Sequence, residues 1–82
     1  MRVTVVVPDN VVCIDGDCIG GIDMSSVPPL VRAMQWYETY GDVESTDPET
    51  GRPINTIITS LDDYQGVIAQ WEEKKHPLIP PE

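Results

Sequence analysis

The chain has 82 residues and carries 14 acidic against 5 basic side chains, a net charge of −9. A chain of this length forms one domain and buries only about 60% of its unfolded surface, so we expect a thin core. Nucleic acids and anionic membranes bind positive surfaces, and the charge therefore argues against both as partners. A net charge of this size ordinarily keeps a small domain soluble.

The N-terminal residues predict a cytosolic start for the protein. The apolar run at residues 5–7 is short, and Pro8 and Asp9 end it, so we expect no secretory signal. No segment is long and apolar enough to cross a membrane. Two cysteines and a single histidine, His76, form neither a disulfide framework nor a zinc site of known spacing.

The first nineteen residues favour three short strands. Residues 2–7 and 11–14 are rich in β-branched side chains, and the turn-forming segment Pro8-Asp9-Asn10 separates them. Asp15-Gly16 is a dipeptide favoured by two-residue hairpin turns of type I′, so residues 17–19 are expected to return as a third strand.

The same turn places Cys13 directly opposite Cys18. Pairs at this distance from a two-residue turn are not hydrogen-bonded, and their Cα atoms lie about 4.5 Å apart. Two thiols at that separation can form a cross-strand disulfide, although the cytosol keeps such thiols reduced. The alternative is that both are small, half-buried apolar side chains.

A second hairpin is predicted after a connection rich in Gly, Ser and Pro. Residues 31–37 alternate as a half-buried strand does, and residues 42–45 return after a short loop in which Gly41 is free to adopt a positive φ. Residues 46–53 are predicted to form a polar loop. Residues 54–58 then form a brief strand that precedes a helix.

One amphipathic helix is predicted over residues 60–75. Its apolar side chains recur at helical spacing, at Leu61, Tyr64, Val67, Ile68 and Trp71. The opposite side of the helix carries Asp62, Gly66, Gln70 and Glu73. A lone helix of this length is marginal in water, so the apolar face is expected to cover the strands.

The ends of this helix carry consistent signals. Thr59 or Ser60 is the expected N-cap, with an aspartate three residues on as its reciprocal partner. Lys74 and Lys75 suit the negative end of the helix dipole. The step from His76 to proline is expected to end the helix, since a residue before proline avoids the helical region.

Strands in hairpins followed by one helix predict an α+β fold. We expect a small antiparallel sheet of two hairpins plus a short strand, with one C-terminal amphipathic helix packed on it. Residues 1–76 would form a single α+β domain, and residues 77–82 an extended, proline-rich tail. The sheet residues expected beneath the helix are Val5, Val12, Met34, Trp36 and Ile57.

The sequence predicts a protein that is not an enzyme, with no catalytic residue, cofactor or metal. His76 lacks a visible acid–base partner, and its expected role is a charge interaction with the helix C-terminus. The carboxylate pairs have structural roles as turn, helix cap and solvated face: Asp15/Asp17, Asp62/Asp63 and Glu72/Glu73. Asp15-Gly16-Asp17 lacks the remaining ligand spacing of a calcium loop.

The aromatic residues of the second hairpin are candidates for partner binding. Alternation places Trp36 and Tyr37 on opposite faces of the sheet, so we expect Trp36 in the core. Tyr37, together with Tyr40 near the loop, could anchor a protein partner, because tyrosine is enriched at interface hot spots. The alternative is that Tyr37 only covers the second sheet face.

Several sequence blocks carry a family resemblance. They are the turn Ile14-Asp15-Gly16, the step Gly21-Ile22-Asp23, VRAMQWY at residues 31–37, GDVE at residues 41–44, and ITSLDDY at residues 58–64, which leads to Trp71-Glu72. With these blocks, the chain from Cys13 onward resembles a family of small proteins. The members of that family are encoded among the tail genes of tailed bacteriophages, often beside tail-fibre genes.

The resemblance implies a structural component of the tail tip or tail fibre, or an assembly factor for it. Its partners would be other phage tail or tail-fibre proteins, with several copies per particle and no nucleic acid or membrane. It would be located in the virion tail, and in the host cytoplasm during assembly. The expected partner-binding residues are Tyr37, Tyr40, Pro77, Leu78 and Ile79.

An alternative function is an acidic, phage-encoded inhibitor that binds a host nucleic-acid-binding protein. Such a mimic gathers its acids on one face at phosphate-like spacing. In this sequence the acids are scattered through turns, the helix cap and both ends, which favours the tail function.

Overall fold

The computed structural model describes residues 1–75, which form a six-stranded antiparallel sheet with one helix against it. The strands are β1 (Arg2–Val6), β2 (Val11–Ile14), β3 (Asp17–Ile19), β4 (Val31–Tyr37), β5 (Gly41–Thr46) and β6 (Pro53–Ile58). The helix α1 spans Gln65–Lys75, and 3-10 turns occupy Val7–Asp9 and Asp62–Tyr64. The predicted α+β class is confirmed.

The strand order across the sheet is β3-β2-β1-β4-β5-β6, so two three-stranded meanders meet where β1 pairs with β4. The prediction of two hairpins plus a short strand underestimated this sheet. β6 is six residues long and pairs with β5 along its whole length, which makes it a full member of the second meander.

The two hairpin turns differ in how well the sequence predicted them. Asp15 and Gly16 have φ values of 51° and 86°, as a type I′ turn requires. In the second hairpin the positive φ lies at Glu38, at 93°, and the expectation for Gly41 was wrong. Gly41 begins β5 instead, where a Cβ would lie 2.9 Å from the backbone oxygen of Gln35 and 2.9 Å from the Trp36 ring.

The core lies between one face of the sheet and α1. Val3, Val5, Val12, Met34 and Trp36 line the sheet side, while Tyr64, Val67 and Ile68 line the helix side. Burial raises the pKa of the Tyr64 phenol above its ordinary value, and the neighbouring Asp63 carboxylate adds to the shift. Of the predicted apolar helix face, Val67 and Ile68 of α1 and Tyr64 of the preceding 3-10 turn are buried, while Leu61 and Trp71 are half-buried at the border of the core.

Ile57 does not belong to this core, contrary to the prediction. Its side chain is 62% exposed, because Ile57 pairs with Asp42 on the opposite face of the sheet. Ile58, one residue later, pairs with Gly41 and packs against the core. A one-residue difference in register exchanges the two faces of a strand, and sequence alone did not fix that register.

The helix begins later than predicted. Residues 60–64 form a turn and a 3-10 segment, and α1 starts at Gln65. The Ser60 hydroxyl accepts a hydrogen bond from the Asp62 N–H at 3.1 Å, and the 3-10 segment has no side-chain cap hydrogen bond. A local serine bond of this kind stabilises a turn in competition with the helix. The predicted stop at His76 lies outside the described residues.

The connection between β3 and β4, residues 20–30, packs against the sheet and the helix. Ile22 and Val27 are buried in the core. The Asp23 N–H donates to Oε1 of Gln70, and Nε2 of Gln70 donates to the Asp23 carbonyl, both at 2.8 Å. Hydrogen bonds from Ser25 to the Asp23 carboxylate hold its pKa below its ordinary value. The side of α1 that carries Gln70 therefore holds this connection.

Replacing Gln70 with alanine should lower the free energy of unfolding by about 1–2 kcal/mol, because two hydrogen bonds worth about 0.5–1.5 kcal/mol each are lost and water replaces part of them. Urea denaturation measures the change. The control is Glu73→Ala on the exposed side of the same helix. Equal losses in the two variants would show that the amide does not hold the connection.

Candidate protein-interaction surface

One face of the sheet is free of any covering segment among residues 1–75. We call it the open face. It is opposite α1, and none of its side chains is buried. By strand register it comprises Arg2, Thr4, Val6, Val11, Cys13, Cys18, Ala33, Gln35, Tyr37, Asp42, Glu44, Asn55 and Ile57. An antiparallel sheet can expose one face to water, and residues 1–75 leave this face exposed.

Tyr37 and Tyr40 stand together at one end of the open face. Their ring centroids are 5.3 Å apart, and the Tyr37 N–H donates to the Tyr40 carbonyl at 2.7 Å. The Arg2 guanidinium lies 5.9 Å from the centroid of the Tyr37 ring, a cation–π contact across the β1–β4 pair. The positive φ of Glu38 belongs to the tight loop that brings the two tyrosines together.

The predicted division of Trp36 and Tyr37 between the two faces is confirmed. Trp36 is buried in the core, and Tyr37 is half-buried on the open face beside Tyr40, which is 47% exposed. The two rings form an amphipathic patch whose shape is fixed by backbone and ring contacts. Such a patch can bind a partner at little cost in side-chain entropy. The tail residues Pro77, Leu78 and Ile79 lie outside the described residues.

Cys13 and Cys18 form a disulfide across the first hairpin. The predicted register is confirmed, since the two residues are directly opposite and their Cα atoms are 3.9 Å apart. The sequence allowed either a disulfide or two half-buried cysteines that are not bonded, and the structure contains the disulfide. The disulfide holds the three-residue strand β3 against β2 at one margin of the open face.

The opposite margin of the sheet is β6, whose importance the sequence analysis missed. Five of its six residues are exposed, and two of these are isoleucines, Ile54 at 43% and Ile57 at 62%. The signal was present in the sequence, because PINTII combines β-branched residues with a complete absence of charge. The sequence analysis had predicted only a brief strand over residues 54–58 that precedes the helix.

Other kinds of site find little support in the described part of the chain. Residues 1–75 contain no group of three or more His, Cys, Asp and Glu side chains placed to hold a metal ion. Two surface depressions within residues 1–75 are open to solvent: one lies over β4 and β5, and the other beside residues 57–63. No helix within residues 1–75 is long and apolar enough to cross a membrane.

Comparison of the chain with protein-family models, with curated proteins and with solved structures gave no match. The phage-tail family resemblance therefore stays a prediction from the sequence blocks. The open face and the tyrosine pair carry the structural support for protein binding.

Proposed function

We propose that this chain is a non-enzymatic protein associated with a bacteriophage tail, as a component of the tail tip or fibre or as its assembly factor. It works by binding other tail proteins. The observation that carries the binding role is the open face with Tyr37 and Tyr40 at its end. A sheet face that residues 1–75 leave uncovered, with a fixed aromatic patch at its end, suits docking against another folded protein.

The sequence blocks that suggest the tail assignment lie within residues 1–75. VRAMQWY forms the whole of β4, and GDVE begins β5. These two strands carry Met34, Trp36 and Val43 into the core, and they also carry Tyr37 onto the open face. The blocks thus encode both the centre of the fold and the proposed contact residue.

The experiment is deletion of the gene from its phage, followed by complementation. Wild-type protein should restore tail assembly or adsorption. Mass spectrometry of purified particles should detect the protein if it is a tail component, and should not detect it if it is an assembly factor that leaves the particle. The double variant Tyr37→Ala/Tyr40→Ala should fail to complement although its circular dichroism is unchanged. Glu73→Ala, which alters an exposed residue of α1 outside the open face, is the control and should complement.

Normal tails and normal adsorption after deletion, with no copies in wild-type particles, would overturn this proposal. The alternative of an inhibitor predicts a different result, namely co-purification with a host nuclease or polymerase. The charge layout supports it less well. Carboxylates lie on the open face at Asp42 and Glu44, in the first hairpin at Asp15 and Asp17, and along α1 at Glu72 and Glu73, so they form no single acidic face.

A further inference from the structure

β6 is an edge strand without the usual protection. Within residues 1–75 it is hydrogen-bonded to β5 on one side and to no strand on the other. Edge strands are normally protected by charges, bulges or covering segments, because their unpaired backbone groups recruit other strands. β6 carries no charged residue in a chain whose net charge is −9, and its one protective feature is a proline at the first position, Pro53.

The hydrogen bonds of the β5–β6 hairpin determine which backbone groups of β6 face outward. The Asp47 N–H donates to the Arg52 carbonyl at 2.8 Å, and hydrogen-bonded pairs then alternate along the antiparallel ladder. By this alternation, Asn55 and Ile57 direct both their N–H and their C=O groups away from β5. The residues bonded to β5 are Ile54, Thr56 and Ile58.

We propose that β6 pairs antiparallel with β6 of a second copy of this chain, about a two-fold axis at Thr56. Asn55 of each copy is then opposite Ile57 of the other, and each of these two pairs exchanges two hydrogen bonds. Every outward N–H and C=O of Asn55 and Ile57 is satisfied. The six strands of each copy join into one continuous sheet through an isologous contact.

The side chains fit the register centred on Thr56. On the face that carries the core, Ile54 of one copy is next to Ile58 of the other, so two apolar residues meet. A register centred on Asn55 would place Pro53 opposite Ile57, where the missing proline N–H leaves a carbonyl unpaired. The register centred on Thr56 avoids that loss.

Charge and strand length favour a second copy as the occupant. Two chains with a net charge of −9 repel each other, and an uncharged strip reduces that repulsion where they touch. β6 also matches itself in length, with six residues on each side. The other edge, β3, has only three residues and so offers fewer outward backbone groups for pairing. A closed two-fold dimer through β6 is therefore preferred over a ring that joins β6 to β3.

Cysteine cross-linking tests the register. Thr56→Cys places two thiols opposite each other at a pair that is not hydrogen-bonded, where Cα atoms are about 4.5 Å apart and within disulfide range. Mild oxidation should give a covalent dimer, since Cys13 and Cys18 are already bonded to each other. Asn55→Cys and Ile57→Cys are the controls and should link poorly. Efficient linking in either control, or in none of the three variants, would overturn the register.

Sedimentation velocity over a range of concentrations tests the dimer itself. The wild-type protein should move from monomer towards twice the monomer mass, and Thr56→Lys, which opposes two lysines at the axis, should raise the dissociation constant about fivefold or more. Gln35→Lys adds the same charge on a central strand and should behave as wild type. A wild-type protein that stays monomeric, or that forms only large aggregates, would overturn the proposal.

This inference rests on the β6 backbone and not on the phage-tail function, so the two can fail separately. Purified protein decides the dimer, whereas complementation of the phage decides the tail role. If the dimer forms in solution but phage without the gene make normal tails, the dimer proposal stands and the tail function is overturned.

Discussion

Replacing Met34 with alanine should lower the free energy of unfolding by about 2–5 kcal/mol, the range for truncation of a fully buried long apolar side chain. Met34 has no exposed surface, and its cross-strand neighbours Val5 and Val43 are also buried. The cavity would lie where the two meanders meet, at β1 and β4. Because small domains have total stabilities of about 5–15 kcal/mol, this loss is a large share of the whole.

Urea denaturation followed by circular dichroism measures the Met34 effect. Gln35→Ala is the matched control, since Gln35 is the next residue of the same strand and its side chain is exposed on the open face. We expect a change within about 0.5 kcal/mol for that control. Similar losses for the two variants would mean that the two faces of β4 are assigned wrongly.

Replacing Trp71 with alanine should cost about 2–4 kcal/mol, slightly less than the ~3–5 kcal/mol typical of a fully buried tryptophan. Trp71 is half-buried against the core, and its indole N–H donates to the Asp17 carbonyl at 2.9 Å. The neighbouring salt bridge between Lys75 and Asp17 cannot replace the lost ring contacts, since surface ion pairs contribute little.

Trp71→Phe separates packing from hydrogen bonding. The phenyl ring keeps most of the contact with the sheet but has no N–H, so this variant should lose about 0.5–1.5 kcal/mol. A loss below 1 kcal/mol for Trp71→Ala, with the fold intact, would show that the indole contributes little to the docking of α1 on the first meander.

Local signals were enough to predict most of the strands. β2, β3 and β4 have the bounds that alternation and turn residues indicated, and the Asp15-Gly16 turn fixed the pairing of Cys13 with Cys18. These features depend on residues close together in the chain, where turn geometry and side-chain period determine structure. The helix face was predicted for the same reason. The helix itself starts later than predicted, because Ser60 accepts a hydrogen bond from the Asp62 N–H in a turn that precedes it.

Contacts between distant segments were not predictable in the same way. The β1–β4 pairing joins residues about thirty positions apart, and no turn residue specifies its register. The contact of Arg2 with Tyr37 follows from that register, so the sequence could indicate the tyrosine pair but not its cationic neighbour. The assignment of Ile57 failed because either of two adjacent isoleucines could face the core.

The Gln70–Asp23 hydrogen bonds were missed for a related reason. A glutamine on the polar side of a helix normally faces solvent, and only the path of residues 20–30 places a backbone amide within its reach. Gly66 also lies against the connection of residues 20–30, since a Cβ at Gly66 would be 2.7 Å from the Ser26 hydroxyl oxygen.

The docking of α1 on β2 and β3 has a consequence for the order in which the protein folds. Trp71 meets the carbonyl of a residue 54 positions earlier, so a chain leaving the ribosome completes the first meander long before its cover is synthesised. During that interval the apolar side chains of Val3, Val5 and Val12 have no helix to pack against. The core is therefore complete only after residues 65–75 have been synthesised.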